Sequence, residues 1–336
     1  MRPLVLACAF GGLVLLATLV LSSSPSAIFA ILSTSAAPLG VAAAYRTIPS
    51  LLNALSWQAL IPPLGRPRLG TLLRLRWIGE SMNALLPVAQ IGGDLARARL
   101  LTQNGVSGPN AAASMVADLG VGAGTQVMFT LAGAIIFSLH GALGPLERAV
   151  IFVCVVMAVA AAGVFVIARV GFDRILRFFP RLQRSTRARA LVAQAVHVDS
   201  ALALVGARRA VLARAIIFHL VGWFLQSGET WLILRMIGPG VPWTGAVVIE
   251  SLALAARSAA FLIPGGLGVQ EGALILLCAS YGIDRPMALS FGIIKRMREV
   301  LVGAPAIVAW SIAERHLLDR IWRRATRREE RKEEES

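Results

Sequence analysis

Asp94 and Glu271 occupy matching places in two broken apolar stretches, LLPVAQIGGD and FLIPGGLGVQEG, each seven residues beyond a proline, Pro87 or Pro264. Glycines precede both acids (Gly92 and Gly93; Gly265, Gly266 and Gly268), and a glutamine lies close by (Gln90, Gln270). Glycine permits the elbow that other residues would resist. A carboxylate in the first turn after such an elbow has two uses. It can cap the free N–H groups of the following half-helix and answer its dipole. Alternatively, the acid, the open N–H groups and the glutamine can together grip a polar headgroup.

Other ionisable residues fall inside apolar runs, where each costs at least about 2.5–3.5 kcal/mol unless it faces a cavity or a partner. Glu80 and Asn83, three apart, share a helix face leading to Pro87, and Arg76 stands four residues before Glu80 as a local counter-charge. Glu250 and Arg257, seven apart, lie near one stripe, which suits a site wall or an inter-helix ion pair. Asp118 stands alone in AAASMVADLGVG, where small residues permit close packing. It must find a cation or carry a proton, and Lys295, Arg296 or Arg298 can supply the charge. In KRMRE, Lys295 and Glu299 have i,i+4 spacing, while the excess of arginine suits an anionic headgroup or a gate. His219 and Glu229 share one segment but not one face; His219 reads as a satisfied core or interface residue, and Trp223 and Trp231 as interfacial. Arg257, Lys295 and Arg298 would offset Glu80, Asp94, Asp118 and Glu271, giving a neutral but polar path. Such pairing also suits a proton-coupled step through Asp118 or Glu271.

Catalytic signatures are missing from the sequence. The four histidines and three cysteines (Cys8, Cys154 and Cys278) are scattered, with no metal-ligand spacing, nucleophile–histidine pair, or nucleotide or cofactor motif. No cofactor, no metal and no enzyme activity are therefore expected.

The elements that must position these residues are transmembrane helices. Of 336 residues, 57% are hydrophobic and 15% charged, and the mean hydropathy is +0.71. That balance excludes an ordinary soluble domain and predicts an all-α polytopic membrane protein. The net charge of +15 resides in arginines between apolar segments, which reads as topology and anionic-lipid contact, not as a nucleic-acid face. Apolar segments run at roughly 3–22, 37–60, 77–91, 111–139, 148–168, 212–237, 243–263, 265–282 and 288–312. The first reads as a retained span, because no small-x-small cleavage site follows it.

Basic clusters mark the cytoplasmic side: Arg66, Arg68, Arg74 and Arg76, then Arg97 and Arg99, then seven arginines against Asp173 alone within 169–189. Both Arg76 and Arg97 belong on that side, yet one short broken run separates them, so 70–103 is expected to be a re-entrant hairpin. The predicted architecture is about six full spans plus two broken re-entrant hairpins; eight plain spans is the alternative. Both termini are placed in the cytoplasm. The units are 1–36, a first span and outer loop; 37–168, the first half of the membrane domain; 169–211, a basic amphipathic segment; 212–313, the second half; and 314–336, a charged tail. Phe172, Ile175, Leu176, Phe179 and Leu182 suit a helix lying on an anionic leaflet.

The two broken stretches match at an offset of 177. Residues 80–96 lie over 257–273 with Ser81 on Ser258, Leu85 on Leu262, Pro87 on Pro264 and Ala96 on Ala273. Asp94 meets Glu271, while Glu80 meets Arg257 and Asp118 meets Lys295 with opposite charges. Loop charges orient the segments before the two copies in opposite senses, so the halves are expected to form an inverted pseudo-repeat. Transporters often place their substrate site between such repeats.

WIGESMNALLPVAQIGGDLARARLL, ADLGVG, HLVGWFLQSGETWLILR, ESLALAARSAAFLIPGGLGVQEGALILL and KRMREVLVG together resemble the transmembrane region of the lysylphosphatidylglycerol synthase family. They are most similar to its hopanoid-biosynthesis-associated branch. The resemblance implies a flippase-like domain of a bacterial inner membrane that handles polar lipids, here a hopanoid or its precursor. It points to Glu80, Asn83, Pro87, Gln90, Asp94, Arg257, Pro264, Gly265, Gln270 and Glu271 as motif positions. The aminoacyl-transfer activity of the synthases is not implied, since only a short charged tail follows. Two rival expectations stand beside transport: an intramembrane headgroup transferase using Glu271 or Asp94 as base, and a scaffold for hopanoid-synthesising enzymes.

Overall fold

The structure, a computed structural model, describes residues 18, 21, 25–63, 65–86, 92–139, 155, 159, 163, 186–260, 263 and 266–334. All regular structure among the described residues is helical. α1 (Pro25–Ser33), a helix where an outer loop was expected, precedes the first half, whose described helices are α2 (Ala36–Tyr45), α3 (Thr47–Leu60), α4 (Leu69–Leu85), α5 (Gly92–Gln103) and α6 (Gly108–Leu139). After α7 (Thr186–Ala207), the second half comprises α8 (Arg209–Ile237), α9 (Trp243–Ala259), α10 (Val269–Ala279) and α11 (Arg285–Glu334).

Local chemistry explains the boundaries. The apolar run 37–60 is divided at Arg46 because Pro49 has no N–H to give to the Tyr45 carbonyl. α3 stops at Ile61, which precedes Pro62 and Pro63 and takes an extended conformation. α10 starts behind Gly268, whose φ of 77° is costly for any residue with a Cβ. The charged tail continues α11 as helix to Glu334. The arginine-rich stretch up to residue 185, the prolines Pro87 and Pro264, and Gln90 and Gly265 lie outside the described residues.

The boundaries repeat at one interval. Gly92 and Val269 open α5 and α10, Gly108 and Arg285 open α6 and α11, and Leu60 and Ile237 close α3 and α8; each pair is 177 residues apart. Matched helices meet head to tail. The Tyr45 hydroxyl donates to the Leu225 carbonyl at 2.9 Å, and that of Ser56 to the Ala215 carbonyl at 3.1 Å, so α2–α3 run antiparallel to α8. The halves also exchange contacts. Gln126 on α6 donates to Ser258 on α9 at 2.7 Å, and Gly303 on α11 lies against Ser81 on α4, the two residues at matched positions.

Each half accordingly has a core plugged by the other half's long helix. Trp57, Leu72, Leu75, Ile78, Leu101 and Met115 pack with Ala306 of α11, and Ile233, Leu234, Ile249, Leu274 and Phe291 pack with Phe137 of α6. α4 and α5 fold back on each other so closely that a Cβ at Gly93 would fall on the Gly79 carbonyl oxygen. α7 packs along α6, where Val205 joins Leu60, Val121 and Ala215 in a smaller core. Near the foot of α8, burial and the like charges of Arg214 and Arg208 lower the pKa of Arg66.

Polarity is reversed relative to a water-soluble bundle. Asp118, Glu229, Glu250 and Glu271 are at most 3% exposed, while Met128, Leu131, Ile135, Ile217, Val221, Phe224, Val300 and Leu301 face outward. Among the described residues, α6 and α8 are long and apolar enough to cross a bilayer, with 32 and 29 residues against the roughly 20 needed.

Candidate functional site

A cavity of ≈ 240 Å³ opens between the halves. Arg46, Ser50, Trp77, Glu80, Ser81 and Asn83 line it from the first half. Trp223, Gln226, Glu250, Arg257, Gln270, Lys295, Arg298 and Glu299 line it from the second. Of the expected site residues, Glu80, Asn83, Glu250, Arg257, Gln270, Lys295, Arg298 and Glu299 thus share one cavity. Asp94, Asp118 and Glu271 are not in its wall.

On the first-half side, the charges form a network centred on Asp118. The Arg76 guanidinium donates to Asp118 Oδ2 at 3.0 Å, to Glu80 Oε1 at 2.7 Å and to the Asn53 carbonyl at 3.1 Å. Arg97 reaches Asp118 at 3.4 Å and Asp94 at 2.7 Å, with its guanidinium over the Trp57 ring. His219 Nε2 lies 3.1 Å from Asp118 Oδ1. Asn83 ties the hairpin shut: its amide donates to Asp94 at 3.2 Å, and its carbonyl oxygen accepts the Gly93 N–H at 2.8 Å. Arg46 bridges outward, donating to Glu80 at 3.3 Å and to Gln226 of the other half at 2.6 Å.

Pairing in the second half is more local. Glu250 is held by Lys295, by the Thr230 hydroxyl and by the Gln226 amide at 2.8 Å. Arg257 pairs with Glu299 and donates to Gln270 at 3.3 Å. Arg298 donates to Glu229 at 3.0 Å. Glu271 accepts the Gly268 N–H at 2.7 Å and Arg296 at 2.8 Å. It is a helix cap braced by an arginine, buried behind the cavity.

Several expected partnerships are corrected by this geometry. Asp118 is neutralised by Arg76 and Arg97 of its own half, not by Lys295, Arg296 or Arg298, which are taken by Glu250, by Glu271 and Glu299, and by Glu229. Lys295 pairs with Glu250 and not with Glu299, while Glu250 and Arg257 each make the inter-helix ion pair that their stripe suits. Trp223 lines the cavity and donates to Thr125 at 3.1 Å, stacked on Phe129. Trp231 packs edge-on against Trp243.

Arg46 and Gln226 were not among the expected site residues. A single arginine inside the apolar run 37–60 is the signal that marks the first. Gly266 supplies a positive φ of 63°, and a Cβ there would press on Arg257. Gly92 and Gly93 instead begin α5, and at Gly93 the requirement is closeness to Gly79. Among the described residues no group of His, Cys, Asp and Glu is placed to hold a metal ion.

An ionic cavity between exchanged helices, with apolar side chains turned outward around it, fits one comparison. The family model described as lysylphosphatidylglycerol synthase TM region matches residues 4–306. The chain belongs to this family. It is a lipid-related, all-α membrane protein. Comparison with curated proteins gives no match.

Proposed function

We propose that this member of the lysylphosphatidylglycerol synthase TM-region family is a flippase-like transporter. It would pass a polar lipid headgroup between its two halves, without chemical change, while the apolar body stays in the bilayer. The observation that carries this reading is the cavity itself. Its charged walls come from both halves, and the helices around it turn apolar side chains outward. Water or a polar headgroup suits such a space, whereas lipid tails do not.

The accompanying topology is about six full spans with α4–α5 and α9–α10 as re-entrant hairpins in an inverted pseudo-repeat. At 12 and 11 residues, α5 and α10 fall short of the roughly 20 that cross a bilayer. The 177-residue spacing of helix boundaries and the antiparallel meeting of α2–α3 with α8 support inversion. Both termini and the arginine-rich 169–189 segment are assigned to the cytoplasmic face of a bacterial inner membrane. The resemblance to the hopanoid-associated branch makes hopanoids the first lipids to test.

Purified protein in liposomes is expected to translocate a labelled hopanoid or other polar lipid, and Arg257→Ala to slow it at least about tenfold. Chemical conversion of the lipid without movement would replace transport by a transferase reaction. Neither activity, together with loss of partner recruitment after trimming 171–211, would replace it by a scaffold role.

A further inference from the structure

Arg46 sits where α2 gives way to α3, and its guanidinium joins the two ionic networks through the cavity. Nη1 donates to Gln226, which itself donates to Glu250. Nη2 donates to Glu80. Among ion pairs between two cavity-lining residues, Arg46–Glu80 is the longest, at 3.3 Å, and the most open, its side chains 20% and 30% exposed. Opening it leaves each partner a hydrogen bond and frees the Arg46 charge for an incoming anion. Glu80 keeps Arg76 at 2.7 Å, and Arg46 keeps Gln226.

Taking the cavity as the headgroup site proposed above, we infer that the Arg46–Glu80 pair opens to admit a zwitterionic headgroup bearing one phosphate diester and one primary ammonium. The phosphate replaces Glu80 on Arg46, where a guanidinium offers paired donors to two oxygens. The ammonium replaces Arg46 on Glu80, returning to the carboxylate the N–H donor it lost. No bond is made or broken, and the charge count on each side of the cavity stays unchanged. A purely anionic headgroup satisfies Arg46 but leaves Glu80 with one cation fewer. A purely cationic headgroup does the reverse. Among the buried charges that line this cavity either imbalance is penalised, and a polyol carries no charges with which to open the pair. The matched positions strengthen the polarity: where the first half places Glu80, the second places Arg257.

The test uses the full chain, first in detergent and then in liposomes. Short-chain phosphatidylethanolamine is expected to bind at least about tenfold more tightly than short-chain phosphatidylglycerol. Glu80→Gln, which leaves Arg46 without its acid, is expected to shift that ratio at least about tenfold toward phosphatidylglycerol. Arg46→Gln is expected to weaken phosphatidylethanolamine without any gain for phosphatidylglycerol. Equal binding of the two lipids by the unaltered protein, or binding of neither, overturns the inference whether or not the variants fold. An unchanged ratio in folded Glu80→Gln overturns it as well. Selective binding without movement in liposomes overturns transport and keeps the headgroup assignment; movement blind to the headgroup, with equal binding, does the opposite.

Discussion

Asp118 and Lys295 occupy the same place in the two halves and carry opposite charges, as do Glu80 and Arg257. In the first half one buried acid is shared by Arg76, Arg97 and His219. In the second, the buried cation serves one acid, Glu250, which has hydroxyl and amide donors besides. The common helix path dictates which positions point inward but leaves the sign of charge free, provided each network closes. Both do. Arg46, Arg76 and Arg97 answer Glu80, Asp94 and Asp118; Arg257, Lys295, Arg296 and Arg298 answer Glu229, Glu250, Glu271 and Glu299.

This difference predicts unequal fragility. Removing Asp118 leaves two buried arginines facing each other with one shared acid gone, a loss of about 3–5 kcal/mol. Asp118→Ala should therefore show the largest drop in thermal stability of the purified protein. Lys295→Met removes one cation, but Glu250 keeps two hydrogen bonds, and the loss should be smaller, about 2–3 kcal/mol. Equal losses for the two variants would mean that the networks are not organised as one hub and one chain of pairs.

The elbow chemistry was legible in advance, because glycine, proline and a first-turn acid carry local physical meaning. Glu271 behaves as that local rule says a cap should, and the 177-residue offset found in four identities reappears in helix boundaries. The partners of Asp118 were not legible. Arg76 and Arg97 looked like loop charges marking a membrane side, and only the close α4–α5 crossing at Gly79 and Gly93 turns both inward. Arg46 was missed although an arginine in an apolar run is a signal of its own. Trp223 was not legible, since an amphipathic indole suits a membrane interface and a polar cavity equally well.

The hairpins give the next test. At Gly93 a methyl group would collide with the Gly79 backbone, whereas the matched residue in the second hairpin is Gln270, whose side chain has room to reach Arg257. Gly93→Ala should cost about 2 kcal/mol through forced separation of α4 and α5, read as a lowered unfolding temperature. Glu271→Ala should cost about 1 kcal/mol as a lost cap, with more if Arg296 finds no other acid; it still has Glu299 at 3.0 Å. Because Glu271 lies outside the cavity wall, Glu271→Gln should leave lipid binding in folded protein unchanged. A changed headgroup preference in that variant would return Glu271 to the site.

The smallest expected effect sharpens the same contrast by its sign. Gly272 lies in the first turns of α10, and a Cβ placed there meets nothing within 4 Å. Its matched residue in the first hairpin is Leu95, 68% exposed, so that face of either short helix tolerates a side chain. Gly272→Ala replaces the residue that loses most backbone freedom on folding with the best helix former, in a helical position with room for it. The variant should be more stable by about 0.5–1 kcal/mol, seen as a small rise in unfolding temperature. A destabilised Gly272→Ala would mean that the face is covered by something close-packed, and that α10, unlike α5, is pressed against a neighbour on its outer side.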